Sequence, residues 1–348
     1  MTKAVLVVTN MGPKPSSPFQ GQFVKNQVHA LQKRLALNYF YMSWHNDSPL
    51  NRLLKYPVLF AQFFWSYILS FKSFDIIHVH FYYPTIWLAL AYKFFRKPSV
   101  KIVVTCHGSD IYHYQPFSFL YRYCSGYVDQ WIFTSEKLQR KAFTSAPKAM
   151  VLSAGIAQNY AQARLFARAE KDIDLLYVGA LDKNKGMDRL IALLPELRDK
   201  KICVVGTGVY QAQFQQLSKD YPNLQLEAGQ SAEQLKELYQ RSKCFLSLSR
   251  NESFGLVMTE AMACYTPVIA TLTDGSTEQL GADSFWVLDQ ADEHALQQNL
   301  LKKIQQLLSL SDSDYTALQQ SAHQHARNCL VDDVAAKILQ LYQNLFSE

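Results

Sequence analysis

Residues 244–272 read CFLSLSRNESFGLVMTEAMACYTPVIATL. The run begins with CFLSLS (244–249), a short and nearly continuous apolar segment of the kind that a strand covered on both faces requires. A polar loop follows, then a helical stretch opened by Phe254 and Gly255, and PVIATL (267–272) is a second buried strand. Strand, loop, helix and strand in that order form one crossover unit of a parallel sheet, because parallel neighbours cannot be joined by a tight hairpin.

The pattern repeats outward from this unit. In the second half, DLLYVGAL (174–181), KICVVGTG (201–208) and SFWVLD (284–289) are further strands. In the first half the strands are KAVLVVTN (3–10), DIIHVH (75–80), KIVVTCHG (101–108), QWIFTS (130–135) and AMVLSA (149–154). Helix-period stretches separate most of them, among them FVKNQVHALQKRL (23–35), SAEQLKELYQRS (231–242) and DDVAAKILQLYQNLF (332–346). The fold class is therefore α/β, with two doubly wound, Rossmann-like parallel sheets and a ligand site expected in the cleft between them, at the carboxyl ends of the strands. The polar, Ala-rich stretch AQNYAQARLFARAEKD (157–172) marks the boundary. We expect an N-terminal domain over 1–160, a second over 161–330, and a helix over 331–348 that is a candidate to pack back on the first.

Composition narrows the class. The 348 residues, 49% apolar and 18% charged, are enough for two domains with separate cores. Forty-six aromatic side chains (21 Phe, 20 Tyr and 5 Trp) exclude a disordered chain. Six cysteines without a C-x-x-C spacing, and a start that runs directly into a strand, point to reduced thiols in a cytoplasm. The net charge of +6 conceals a division: residues 1–170 carry 19 Lys/Arg against 6 Asp/Glu, and residues 171–348 carry 16 against 23. A basic, aromatic-rich half beside an acidic one suggests that the first domain faces something anionic, although such a charge also serves solubility. Lys and Arg gather on no recognisable nucleic-acid module, so no nucleic-acid partner is expected.

PVLFAQFFWSYILSF (57–71) is too short to span a bilayer core of about 30 Å as a helix. It is either a buried or capping helix of the basic half, or an interfacial helix with Phe63, Phe64 and Trp65 dipping into lipid.

The chemistry concentrates in residues 249–271. A helix opening at Phe254-Gly255 offers unpaired N–H groups and the positive end of its dipole to an anion, and Gly255 permits close backbone approach. Glu252 and Glu260 place a carboxylate before and within that helix, and phosphate with nearby carboxylates suits a nucleotide sugar. A helix cap with a solvated Glu would explain the same residues.

This segment resembles the signature of the retaining, GT-B-fold nucleotide-sugar glycosyltransferases of family 4. Glu252-Ser253-Phe254-Gly255, then Glu260-Ala261-Met262-Ala263, then Pro267-Val268-Ile269-Ala270 reproduce its pattern. The resemblance implies that Glu252 contacts the donor sugar and Glu260 the ribose, while Ser253, Phe254, Gly255 and Leu256 meet the diphosphate. GQFVKNQVHAL (21–31), with Gly21, is similar to the family's first glycine loop. HVHFYYP (78–84) is similar to its His-x-His segment, and TCHGSD (105–110) to the element carrying the active-site histidine, here His107. YVGALDKNKGMDRLI (177–191) supplies Lys185, VVGTG (204–208) supplies Gly206, and DGSTEQL (274–280) stands where a glycine-rich loop closes over the phosphates.

Departures accompany the match. The family's phosphate-clamping arginine falls at Ala180, a usual glycine is Tyr265, and an expected asparagine is Ala154. His78 and His80 are read as lying on opposite faces of their strand, so that one of them is a packed core residue. Asp110 reads equally as a local cap or an acid. Cys106, His107 and His113 form no spaced metal-ligand set. VVGTGVY lacks the third glycine of a dinucleotide fingerprint, which weakens an oxidoreductase reading.

The expected function is a retaining hexosyltransferase moving sugar from a nucleotide diphosphate, such as a UDP-sugar, to a lipid-linked or saccharide acceptor of envelope polysaccharide or lipopolysaccharide synthesis. His107, Glu252 and Lys185 would be catalytic, with no metal or other cofactor. An anionic membrane surface is a candidate partner, placing the chain in the cytoplasm or peripherally on the inner face of the membrane. The alternatives are a catalytically weak partner subunit of another transferase, suggested by Ala180, and a nucleotide-sugar epimerase of the same fold.

Overall fold

The computed structural model describes residues 3–13, 20–43, 48–142, 149–281, 284 and 286–347. It divides into two units, Met1–Gly155 with Val331–Glu348, and Ile156–Leu330. The chain therefore leaves the first unit at residue 155, five residues before the expected boundary, and returns to it at 331.

In the first unit six strands form one parallel sheet: β1 (Val5–Thr9), β2 (Leu37–Tyr41), β3 (Ile76–His80), β4 (Lys101–Cys106), β5 (Gln130–Phe133) and β6 (Ala149–Val151). Their order is β2-β1-β3-β4-β5-β6. Alternation along each strand feeds two cores. Leu6, Val8, Ile77, Val79, Ile102 and Val104 join one, under the helices Pro49–Phe63 and Tyr82–Phe95. Val5, Val7, Ile76 and Val103 join the other, under helix Gln22–Gln32 and the returning helix Val331–Asn344. The returning helix buries Val334, Ile338, Leu341 and Tyr342 there, so residues 331–344 complete the first unit's core.

The second unit repeats the plan with β7 (Ile173–Val178), β8 (Ile202–Val205), β9 (Leu224–Glu227), β10 (Ser242–Ser247), β11 (Val268–Thr271) and β12 (Val287–Leu288), all parallel, in the order β12-β11-β10-β7-β8-β9. The expected strand 284–289 is shorter than its apolar run, and Phe285 lies outside the described residues. DGSTEQL, expected as a loop, is the helix Asp274–Leu280, because Thr273 caps it by accepting a hydrogen bond from the Ser276 amide.

The stretch 57–71 lies within helix Pro49–Phe63 and the wider π-type turn Phe64–Ile68 that follows. Phe63, one of the three side chains considered for lipid contact, is instead a core residue beneath Phe40 and Tyr67. Phe64, Trp65, Leu69 and Phe71 are exposed, Trp65 to 72%. Phe94, Phe95, Phe119 and Tyr123 are exposed on the same unit. Arg96 donates to the Ser70 carbonyl at 2.6 Å, which joins the end of helix Tyr82–Phe95 to the segment after the π-type turn, and Phe94, Tyr127, Tyr123 and Phe119 touch in sequence. Among the described residues no helix is long and apolar enough to cross a membrane.

Candidate functional site

In the second unit the carboxyl ends of β7, β8, β10 and β11 bring their loops together. Gly206, after β8, passes so close to the loop after β7 that a Cβ would stand 1.9 Å from the Gly179 carbonyl oxygen. Gly186 turns with φ +77 against Leu248, and the Arg250 amide donates to the Asn184 carbonyl at 2.7 Å. These contacts place the loop carrying Lys185 against the loop carrying Glu252, and the two side chains form an ion pair. The Lys185 amide is held by Asp182 Oδ1 at 2.8 Å, which fixes the start of that side chain.

Gly255 precedes helix Leu256–Ala263 with φ +81, a left-handed turn that any side chain would strain. The loop before it is clamped from the helix Asp274–Leu280. Gly275 donates its amide to the Glu252 carbonyl at 2.8 Å and packs where a Cβ would meet the Phe254 carbonyl oxygen at 2.5 Å. The Gln279 side-chain amide donates to the carbonyls of Phe254 and Gly255, and its own oxygen accepts from Thr259 Oγ1 at 2.6 Å. With both carbonyls held on that side, the amide edge of the turn faces away from Gln279. Gln279 and Thr259 were not foreseen. The available signal is two polar residues in mutual contact where a helix-on-helix packing would ordinarily be apolar.

Arg250 is committed elsewhere: its guanidinium pairs with Asp188 through two bonds of 2.8 Å, and with Glu293 at 3.2 Å. Ala180 is exposed, and its carbonyl accepts from the Tyr177 hydroxyl at 2.8 Å. The cation facing Glu252 is thus Lys185, a point charge without the bidentate fork of arginine.

Glu260 lies one helical turn beyond Leu256 in the same helix. Tyr239 donates its hydroxyl to Glu260 at 3.1 Å, and Tyr160 is a second hydroxyl partner. Burial pushes the Glu260 carboxyl up to about 7, against the lowering effect of both tyrosines. The structure also accounts for Tyr265 in a glycine position. Its backbone is left-handed at φ +57, and its ring stacks on His323 at 3.8 Å between centroids. His323 Nδ1 in turn meets the Ala263 carbonyl at 2.8 Å, so the stack anchors the end of the helix that carries Glu260.

The first unit gathers its own cluster at the carboxyl ends of β3 and β4. His78 and His80 share one face of β3, contrary to the expectation that they oppose each other, because side chains two residues apart on a strand point the same way. Their rings stack at 4.5 Å. His78 is fully engaged, with Nδ1 2.6 Å from the Tyr342 hydroxyl and Nε2 2.7 Å from Thr105 Oγ1. His80 Nδ1 lies 3.0 Å from His107 Nε2. Phe23 and Phe81 pack against the His107 ring. Asp110 is a buried clamp: one oxygen accepts the amides of His107 at 3.0 Å and Gly108 at 2.9 Å, the other the amide of Tyr82 at 2.8 Å. Burial raises its carboxyl despite these bonds. Burial also holds His78, His80 and His107 well below the ordinary imidazole range, so all three rings are neutral. Gly21, with φ +77, opens helix Gln22–Gln32 without a side-chain cap. Among the described residues no group of three or more His, Cys, Asp or Glu is arranged to hold a metal.

Residues 12–168 match the family model Glycosyltransferase Family 4, and residues 162–325 match Glycosyl transferases group 1. The fold agrees with that of sucrose-phosphate synthase from Thermosynechococcus elongatus at a TM-score of 0.74 and 20% identity, covering 99% of both chains. The chain has the GT-B fold, and each of its halves matches a glycosyltransferase family model. Anabaena HepE, in complex with UDP-glucose, has the same fold at a TM-score of 0.68 and 16% identity, over 98% of this chain and 100% of that one. The phosphatidylinositol N-acetylglucosaminyltransferase GPI3 subunit of Saccharomyces cerevisiae is 26% identical over 184 residues, half of this chain and 39% of the yeast chain. The first curated relatives are matched over 60% and 39% of their own length, less than two thirds.

Proposed function

We propose that this glycosyltransferase moves a hexose-type sugar from a nucleotide diphosphate donor to an acceptor hydroxyl, with the anomeric configuration retained. The observation that carries the reading is the Lys185–Glu252 pair beside the Gly255 turn, a cation, a carboxylate and a helix N-terminus converging at the carboxyl ends of one parallel sheet. HepE, a relative in fold, is seen with UDP-glucose, which supports a nucleotide sugar as donor.

Transfer builds negative charge on the departing diphosphate and positive character on the sugar ring. Lys185 and the amides of Gly255 and Leu256, with Phe254 and Ser253 shaping the turn, stabilise the first. Glu252 holds the sugar in attack geometry, and the Gly206 turn leaves room for the phosphates. The departing phosphate takes the acceptor's proton, and His107 contacts the sugar. These groups supply the positive charge without a metal. Glu260 accepts from the ribose hydroxyls, for which its ionised form is the stronger acceptor.

That last role gives the test a sign. With the Glu260 carboxyl near 7, only about a tenth of it is ionised at pH 6 and about nine tenths at pH 8. Calorimetric titration with uridine and guanosine diphosphates and their sugars should find one base that binds, with affinity rising about tenfold from pH 6 to pH 8. Glu260→Gln should flatten that slope. No binding by any nucleotide would instead favour the partner-subunit reading, in which Ala180 marks a lost donor site.

We place the acceptor on or near an anionic membrane of the cytoplasmic face, as in envelope polysaccharide assembly. The support is the exposed aromatic side chains of the first unit, with exposed Lys72, Arg96 and Arg122 close to them in the sequence. The protein should sediment with phosphatidylglycerol vesicles at low salt, and a Trp65→Ser, Phe71→Ser double variant should bind at least about tenfold more weakly. Wild-type protein that stays in the supernatant at low salt defeats this part.

A further inference from the structure

We propose that His80 is a positioning residue that fixes the tautomer of His107, making His107 a hydrogen-bond donor through Nδ1. The inference deepens the reading above, in which His107 faces the donor sugar.

Strands β3 and β4 pair with His80 opposite Thr105, which sets His80 beside the residue that follows β4. The two imidazoles lie nearly parallel, 16° apart, with centroids at 5.3 Å, and share one hydrogen bond between His80 Nδ1 and His107 Nε2. One ring donates and the other accepts. His80 is 1% exposed, and its Nε2 has no hydrogen-bond partner among the described residues. His78, stacked beneath it, offers none, because both of its nitrogens are engaged by Tyr342 and Thr105.

Neutral rings carry one N–H each, so two arrangements exist. If His107 donated from Nε2, the only proton of His80 would sit on Nε2, an N–H buried without an acceptor. If His80 donates from Nδ1, its Nε2 is a bare lone pair. Orphaned N–H groups are the rarer of the two in folded proteins, and a buried one carries its full desolvation cost. The second arrangement follows: His80 Nδ1–H donates, His107 Nε2 accepts, and the His107 proton resides on Nδ1. His107 then carries its one N–H on Nδ1, and its Nε2, already accepting from His80, is not available as a general base.

The experiment uses the full chain with 15N-labelled histidine and long-range proton–nitrogen correlation spectra, with the His107 signals assigned by their loss in His107→Gln. The expected native pattern is a protonated Nδ1 and a bare Nε2. In His80→Asn the side-chain amide replaces the Nδ1–H donor and keeps that pattern. In His80→Leu no donor remains, and the pattern moves toward the Nε2–H form. A native His107 protonated on Nε2, or a pattern that His80→Leu leaves unmoved, overturns the proposal. If His80→Leu fails to fold, the native and His80→Asn spectra decide alone. In the transfer assay, His80→Leu should lower kcat on the order of tenfold or more with donor Kd little changed, and His80→Asn should restore it to within about threefold. Loss of kcat in both variants alike also overturns it. A protein that shows the expected spectra yet binds no nucleotide sugar upholds the His80 assignment and overturns the transfer reading.

Discussion

Replacing Glu252 by alanine is expected to lower turnover by about a hundredfold or more while nucleoside diphosphate binding holds or tightens. Lys185→Ala is expected to do the reverse to binding, weakening the diphosphate about 10- to 100-fold, the range of a charge-assisted hydrogen bond worth about 1.5–3 kcal/mol. The opposite signs follow from the pair itself. Without donor, Lys185 is neutralised by Glu252 across two loops that both end at the same edge of the sheet. An incoming diphosphate competes with Glu252 for that ammonium group, so removing the carboxylate releases the cation for the phosphate and deprives the sugar of its anchor. Both side chains keep some exposure, 28% for Lys185 and 15% for Glu252, so neither change should cost the fold more than about 1 kcal/mol. Titration of the diphosphate into both single variants and the double variant gives the coupling energy. Equal loss of diphosphate binding in both single variants would mean that the pair is only a clamp between loops.

A chain ending at residue 330 is expected to lose the first unit altogether while the second remains folded. The returning helix Val331–Asn344 buries Val334, Ile338, Leu341 and Tyr342 against Val24, Val28 and Leu31 of helix Gln22–Gln32 and the underside of β1 and β3. Four such side chains at about 2 kcal/mol each contribute about 8 kcal/mol, comparable with the whole stability of a domain. The Tyr342 hydroxyl is also the partner of His78 Nδ1, so its removal leaves one nitrogen of a buried imidazole without its partner. Limited proteolysis read by mass spectrometry distinguishes the outcomes. Rapid cleavage within 1–155 and protection of 156–330 is the expected pattern, and equal protection of both would show that the helix adds nothing to the core.

Most of the architecture was legible because interior parallel strands are written as uninterrupted apolar runs. The two strands that were not read, β2 and β9, are both sheet edges. In β2 only Leu37 is buried, and in β9 only Leu224. Such segments share the composition of ordinary surface chain. The donor-side residues were legible through one dense motif whose glycines and carboxylates sit at fixed offsets. Their supports were not, since Gln279, Thr259 and Tyr239 meet their partners only after two helices have packed. The histidine cluster was half legible. Its residues were visible, but strand period places His78 and His80 on a shared face, and only the pairing of β3 with β4 shows that His80 reaches His107.

The return of the chain to its first unit also dictates an order of events during synthesis. The second unit is one unbroken stretch and can close as soon as its own residues have emerged. The first unit, although made earlier, must wait with Val5, Val7, Ile76 and the face of helix Gln22–Gln32 uncovered until residues 331–344 arrive. The usual amino-to-carboxyl sequence of domain folding is thus reversed, and the half richer in aromatic residues spends the longer time with part of its interior open to solvent.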